Sequence, residues 1–159
     1  MKKLFGILAL FVLMVSSVVA TDMDITPDFT TMAPTDVEVV DVCITKSSGG
    51  PYVGVALVID TYCKDLNSNE ICDAADLTGP ADFTPVVTST PTDVTGCGQV
   101  TLTTVAAAPG MYAYKVNGMD AGAEVASEHG LVLVPEFTTI GAGLVLAGAG
   151  LYMYRKRKQ

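Results

Sequence analysis

Alternation of apolar and polar residues at period two dominates the middle of the chain. In GQVTLTT (98–104), Val100 and Leu102 fall on one face and Thr101 and Thr103 on the other. YVGVALVID (52–60) sets Val53, Val55, Leu57 and Ile59 on one side, and GMYAYKV (110–116) groups Tyr112, Tyr114 and Val116. DVEVVDVCITK (36–46) is β-branched and apolar on both faces. FTPVVTST (83–90) reads as an edge strand, because Pro85 cannot donate to a ladder. SSGGP (47–51) and PG (109–110) supply turns between the runs. No stretch of the body repeats at 3.6 residues, and ICDAADL amounts to one turn at most. Short strands at near-regular spacing predict an all-β fold, a small immunoglobulin-like β-sandwich over 36–117. The chain has no Trp, so an antibody-type domain is not expected. Thr, Asp and Pro without periodicity make 21–35 an extended spacer, and 118–134 reads as a stalk or as a last strand.

The two ends have a different texture. MKKLFGILALFVLMVSSVVA has a positive start, an apolar stretch and small residues at its close, which predicts a signal peptide over 1–20 cleaved after Ala20. From Phe137 to Tyr154 no residue is charged, and eighteen residues of helix at 1.5 Å rise cover about 27 Å, enough to cross a bilayer. Arg155-Lys156-Arg157-Lys158 follow at once and predict a cytoplasmic tail, with the body outside. Composition alone stops at a C-terminal membrane anchor.

The order of parts there says more. Pro135-Glu136-Phe137, a Gly/Ala-rich apolar segment over 137–154 and a terminal basic cluster, together spanning 135–158, resemble the PEF-CTERM sorting signal of archaeal surface proteins. That resemblance implies recognition by an archaeosortase, a membrane-embedded cysteine transpeptidase, which cuts near the motif and passes the new C-terminus to a lipid. The residues suit that reading. Pro135 imposes an extended approach, and Glu136 is costly to place in hydrocarbon and so belongs at the outer interface. Gly141, Gly143, Ala147, Gly148 and Gly150 would let the helix pack closely on another.

Charge and cysteines narrow the body further. Residues 21–134 hold sixteen acidic side chains against Lys46, Lys64 and Lys115, a net charge of −13. So acidic a surface repels phosphate backbones, which excludes nucleic acid as a partner and favours cations or a basic surface. Cys43, Cys63, Cys72 and Cys97 all lie in the exported part, where an even count predicts disulfides, and their spacing does not suit a zinc site. Three connectivities are open; Cys63–Cys72 with Cys43–Cys97 is preferred, because the first would staple the two sides of one loop.

That loop, CKDLNSNEICDAAD (63–76), holds the one candidate site. Asp65, Asn67, Asn69, Asp73 and Asp76 occupy positions 1, 3, 5, 9 and 12 of a Ca²⁺-loop pattern, with the Ile71 carbonyl at position 7. Oxygen atoms on alternate residues of a tight loop can converge on a hard cation. The stretch resembles EF-hand-like and thrombospondin-type-3-like calcium loops, which implies a structural Ca²⁺. It departs from the EF-hand at Glu70, where Gly makes the sharp turn, and at Asp76, which is short for bidentate reach. The competing expectation is a web of Asx turns that satisfies its own backbone.

Catalytic patterns are missing. His129 is the one histidine, so Ser-His-Asp, Cys-His and blue-copper arrangements have too little to draw on, and it is expected to be solvated. The sequence therefore predicts a non-enzymatic surface protein with a structural or adhesive role among cell-envelope components. The rival is a module that presents its calcium loop or an edge strand to a ligand.

Overall fold

The computed structural model describes residues 21–136, and within them the chain forms nine strands and no helix. These are β1 (Thr21–Thr26), β2 (Phe29–Thr31), β3 (Asp36–Lys46), β4 (Ala56–Asp65), β5 (Leu77–Thr78), β6 (Phe83–Ser89), β7 (Cys97–Thr104), β8 (Gly110–Asp120) and β9 (Ala123–Val134). The expected signal peptide over 1–20, Phe137, the helix over 137–154 and the basic tail lie outside the described residues. Among the described residues, no helix is long and apolar enough to cross a membrane.

The strands build two sheets, ordered β1-β3-β7-β6 and β2-β9-β8-β4-β5. All neighbours are antiparallel except β2 and β9, which run parallel. In chain order this is the pairing of an immunoglobulin-type sandwich, with its first strand divided between the sheets. The alternation read from sequence is what closes it. Val40, Val42, Ile44, Val100, Leu102 and Phe83 from one sheet are buried against Leu57, Tyr112, Tyr114, Val116, Val132 and Val134 from the other, with Val55 of the turn before β4. Each such side chain contributes about 1.5–3 kcal/mol on leaving water. Val53 is the exception in its run: it is half exposed in the turn before β4. Pro85 does lie on an edge strand, since β6 ends its sheet.

Two stretches expected to lie outside the domain belong to it. The spacer expected over 21–35 is replaced by β1 and β2: Met23 and Ile25 enter the core, and β1 pairs with β3 over six residues. Between its acidic residues, TDMDIT keeps two apolar side chains at period two, which is enough to seat an edge strand. Residues 118–134 are not a stalk. They finish β8 and form β9, so the last-strand reading holds and the domain runs to Val134. The inward positions of β9 include Ala126 and Gly130, small residues that hide the alternation. Gly130 is small for a reason: a Cβ there would stand 2.2 Å from Cζ of the Tyr114 ring.

A corner beneath the sheets fixes the start of β8. The Tyr112 hydroxyl donates to the Ala108 carbonyl, four residues upstream, at 2.8 Å, and lies 2.9 Å from Oδ2 of Asp82. This is the tyrosine corner of immunoglobulin-type sandwiches. Two residues on, where an antibody domain carries its second cysteine, stands the buried Tyr114. Phe83 packs against both rings, with centroids 5.2 Å and 6.4 Å away. Aromatic filling thus occupies the place of the inter-sheet disulfide.

The disulfides lie elsewhere, and all four cysteines are used. Cys43 and Cys97 face each other on β3 and β7 with Cα atoms 4.0 Å apart, so this bond joins two strands of one sheet. The Ile44 amide donates to the Gly96 carbonyl, which marks the cysteines as a non-hydrogen-bonded pair, the closer of the two antiparallel geometries. Cys63 and Cys72 close the loop after β4, as the preferred pairing expected.

The register gives the sandwich two distinct ends. Val134 of β9 is opposite Gly110 of β8, and Asp65 of β4 is opposite Met111. The segments 32–35, 66–76, 80–82 and 105–109 therefore gather with Pro135 and Glu136 at one end, called the base below. Thr21, opposite Lys46, lies at the far end with the turns 47–55, 90–96 and 121–122.

Candidate cation-binding loop

The loop from Asp65 to Asp76 starts at the base, where β4 ends. Its first residue is buried, and the Asp65 carboxylate accepts three backbone amides, from Asn67 at 3.2 Å, Ser68 at 2.6 Å and Glu70 at 2.9 Å. Those bonds wrap the chain tightly around one side chain. Ser68 and Glu70 take φ of 59° and 68°, so the sharp turn that a calcium loop makes with Gly is made here by Glu70.

Three expected ligands meet at one point. Oδ2 of Asp73 receives the side-chain amides of Asn67 at 3.1 Å and Asn69 at 2.7 Å. The side-chain carbonyls of these two residues accept the amides of Asn69 and Ile71. The other two carboxylates are turned to the backbone: Asp76 accepts the amides of Leu66 and Asp73, each at 2.9 Å, and Asp65 holds the three named above. The loop thus forms the Asx-turn web that was the competing expectation, and it does so with the calcium pattern's residues. The Ala75 amide, followed by the amide of Asn67, holds the Asp73 carboxyl below the usual carboxylate range. Among the described residues, no group of three or more His, Cys, Asp or Glu side chains is placed to hold a metal ion.

The residue types remain those of the calcium pattern. As folded, the amide nitrogens of Asn67 and Asn69 face Oδ2 of Asp73, and their oxygens accept the backbone amides of Asn69 and Ile71. Together with Asp65, Asp73, Asp76 and the Ile71 carbonyl, these two residues make six oxygen-bearing groups, the lower limit for Ca²⁺. The Cys63–Cys72 bond holds the loop's two sides 5.6 Å apart at Cα and ties the loop to β4, and Sγ of Cys72 rests 3.6 Å from the Ala113 carbonyl of β8.

Sequence reasoning did not foresee the surroundings of the loop. A surface cleft runs between it and the β2–β9 pair, lined by Asp28, Phe29, Asn69, Glu70, Ile71, Glu128, His129 and Leu131. His129 is half-buried on β9 instead of free on a stalk, and its amide donates to Oε1 of Glu128 at 3.0 Å. Nothing in the primary pattern could link residues 28, 70 and 129. They meet because β2 runs parallel to the end of β9 and the loop folds back over β8.

No family model and no curated protein matches this chain. Solved structures of similar outline include domains 4 and 5 of the S-layer protein SbsC, 11% identical with a TM-score of 0.47, where the match covers 72% of this chain and 51% of that one. WR4, a C. elegans MSP family member, is 8% identical at TM-score 0.47 over 70% of this chain and 96% of its own. The Yersinia pseudotuberculosis adhesin InvE is 16% identical at TM-score 0.40 over 74% and 27%. This chain spans about half the length of the S-layer fragment. Likenesses this loose say nothing about function.

Proposed function

We propose that this chain is an exported surface protein of archaeal type, whose sandwich is a structural or adhesive module of the cell envelope. It is held to the membrane by the segment 137–154 until an archaeosortase-like enzyme cuts near Pro135-Glu136-Phe137 and transfers the new end to lipid. One observation carries this reading. The disulfide-stapled fold runs to Val134, and the motif follows with no linker between them. Two disulfides in a small acidic domain support an oxidising, extracellular setting. No catalytic role is proposed. Intact mass of the native protein tests the sorting step: the expected species ends near the motif, and one that still carries Arg155 to Gln159 would leave a plain anchor.

A second reading is favoured by the meeting of Asn67, Asn69 and Asp73 at one oxygen. In it the loop takes a structural Ca²⁺ through Asp65, Asn67, Asn69, Asp73, Asp76 and the Ile71 carbonyl. Even a dissociation constant of roughly 10⁻⁴–10⁻³ M serves an extracellular module. Melting with calcium should exceed melting with a chelator, and equal midpoints would remove the ion.

A further inference from the structure

The base of the sandwich carries an apolar turn, Val105-Ala106-Ala107-Ala108-Pro109. Val105 is 61% exposed, as is Val37 on the adjoining flank of β3, and Ala106, Ala108 and Pro109 are exposed too. The turn is nonetheless tightly held. Val105 donates its amide to the Asp82 carbonyl at 2.9 Å, Ala106 to Oγ1 of Thr35 at 3.3 Å, Ala107 to the Pro34 carbonyl at 2.7 Å and Ala108 to Oδ2 of Asp82 at 3.1 Å. Proline has no amide hydrogen, so every N–H in the turn is either bonded within the protein or absent. Ala107 is the buried peg, and Ala106 takes φ of 52°, which turns its neighbours outward. The Ala108 carbonyl accepts the Tyr112 hydroxyl at 2.8 Å and lies 3.5 Å from the Lys64 ammonium. The turn therefore presents no unpaired N–H to a medium poor in water.

Chain length says what that medium is. Only Pro135 and Glu136 separate β9 from the uncharged run that begins at Phe137, and two extended residues reach about 7 Å. The headgroup layer on one side of a bilayer is about 5–7 Å deep. If 137–154 spans the membrane, as the proposed function has it, the base has no room to stand clear of that layer. We infer that the Val105–Pro109 turn, with Val37, seats the sandwich in the headgroup layer of the membrane that the next segment enters, and so fixes the domain upright with its 47–55, 90–96 and 121–122 turns outward. The partner surface is zwitterionic lipid, because a body of net charge −13 is repelled by an anionic one.

The chain lacks tryptophan, so Val105→Trp at the base and Val94→Trp at the far end each give a single fluorophore, both at well-exposed positions. The full chain carrying either substitution is reconstituted into phosphatidylcholine vesicles with and without brominated acyl chains, and floated on a density gradient. The expected result is blue-shifted V105W emission that brominated lipid quenches severalfold more than that of V94W. Floating chains with equally unquenched tryptophans overturn the inference and leave the anchor intact. Blue-shifted V105W emission without quenching also overturns it, and assigns the turn to contact with protein, such as a second copy. Chains that fail to float overturn the anchoring itself, and the inference with it.

Discussion

The packed interior around Tyr112, Tyr114 and Phe83 and the loop from Asp65 to Asp76 are joined at Cys63 but held by opposite means. In the interior, order comes from fit of volume: the missing Cβ of Gly130 is the space the Tyr114 ring fills. In the loop, order comes from matched donors and acceptors, with the oxygens of three Asp and two Asn side chains each taking at least one N–H. The first should be indifferent to cations and to acid and fail on changes of shape. The second should tolerate changes of shape and respond to protons and cations.

The largest expected effect is therefore steric. Tyr114→Ala empties a buried ring's volume and should cost about 3–5 kcal/mol in denaturant unfolding. Gly130→Val should approach it from the other side, through overpacking against the same ring. Neither penalty should change with calcium. A calcium-dependent penalty at Tyr114 would break the division between the two regions.

The disulfides come next, and they separate by span. Cys43–Cys97 links residues 54 apart and Cys63–Cys72 residues 9 apart, so loop-closure entropy predicts losses of about 4 and about 2–3 kcal/mol on replacing each pair by serine. Only the second pair should alter any response to calcium. Asp65→Ala leaves three backbone amides without their acceptor and should cost about 1–3 kcal/mol, with hydrogen exchange rising at Asn67, Ser68 and Glu70 ahead of the core.

The smallest effects are those of pH, and they point in opposite directions. The Tyr114 hydroxyl is pushed well above its ordinary pKa of 10.0, first by burial and then by the charge of Asp28. The folded state keeps the neutral phenol, so its contribution is complete below pH 10 and is lost as alkali ionises the unfolded chain. Asp73 is shifted downward, so its contribution is present above pH 3.8 and fades as pH falls. Tyrosine absorbance and loop amide shifts, followed from neutral pH both ways, should show acid loosening the loop first and alkali striking the interior.

Much of the fold was legible because burial follows period two: Val100, Leu102, Tyr112, Tyr114 and Val116 point inward as their spacing predicted. The cysteine pairing was legible in part, since nine residues make a natural clasp and the remaining pair follows by elimination. What stayed hidden was hidden by size and charge. Gly130 and Ala126 are core positions without apolar bulk, and β1 carries its two core residues between acidic neighbours. The calcium pattern picked out the side chains that build the loop's hydrogen-bonded web. That their oxygens turn to N–H groups of the loop itself is not encoded in spacing. The cleft beside the loop depends on a parallel strand pairing between residues a hundred positions apart, which local pattern cannot carry.

The opposed placement of the two ends of the domain has a mechanical consequence. Thr21 lies at the end opposite the base, and β1 runs from it toward the base, matched to β3 at six successive positions from Thr21–Lys46 to Thr26–Asp41. A pull on Thr21 against an anchor beyond Val134 is directed along those strands, so β1 is sheared and its rungs bear the force together. A peeling load would break them one at a time. Loaded in that direction, the domain yields as a unit or holds.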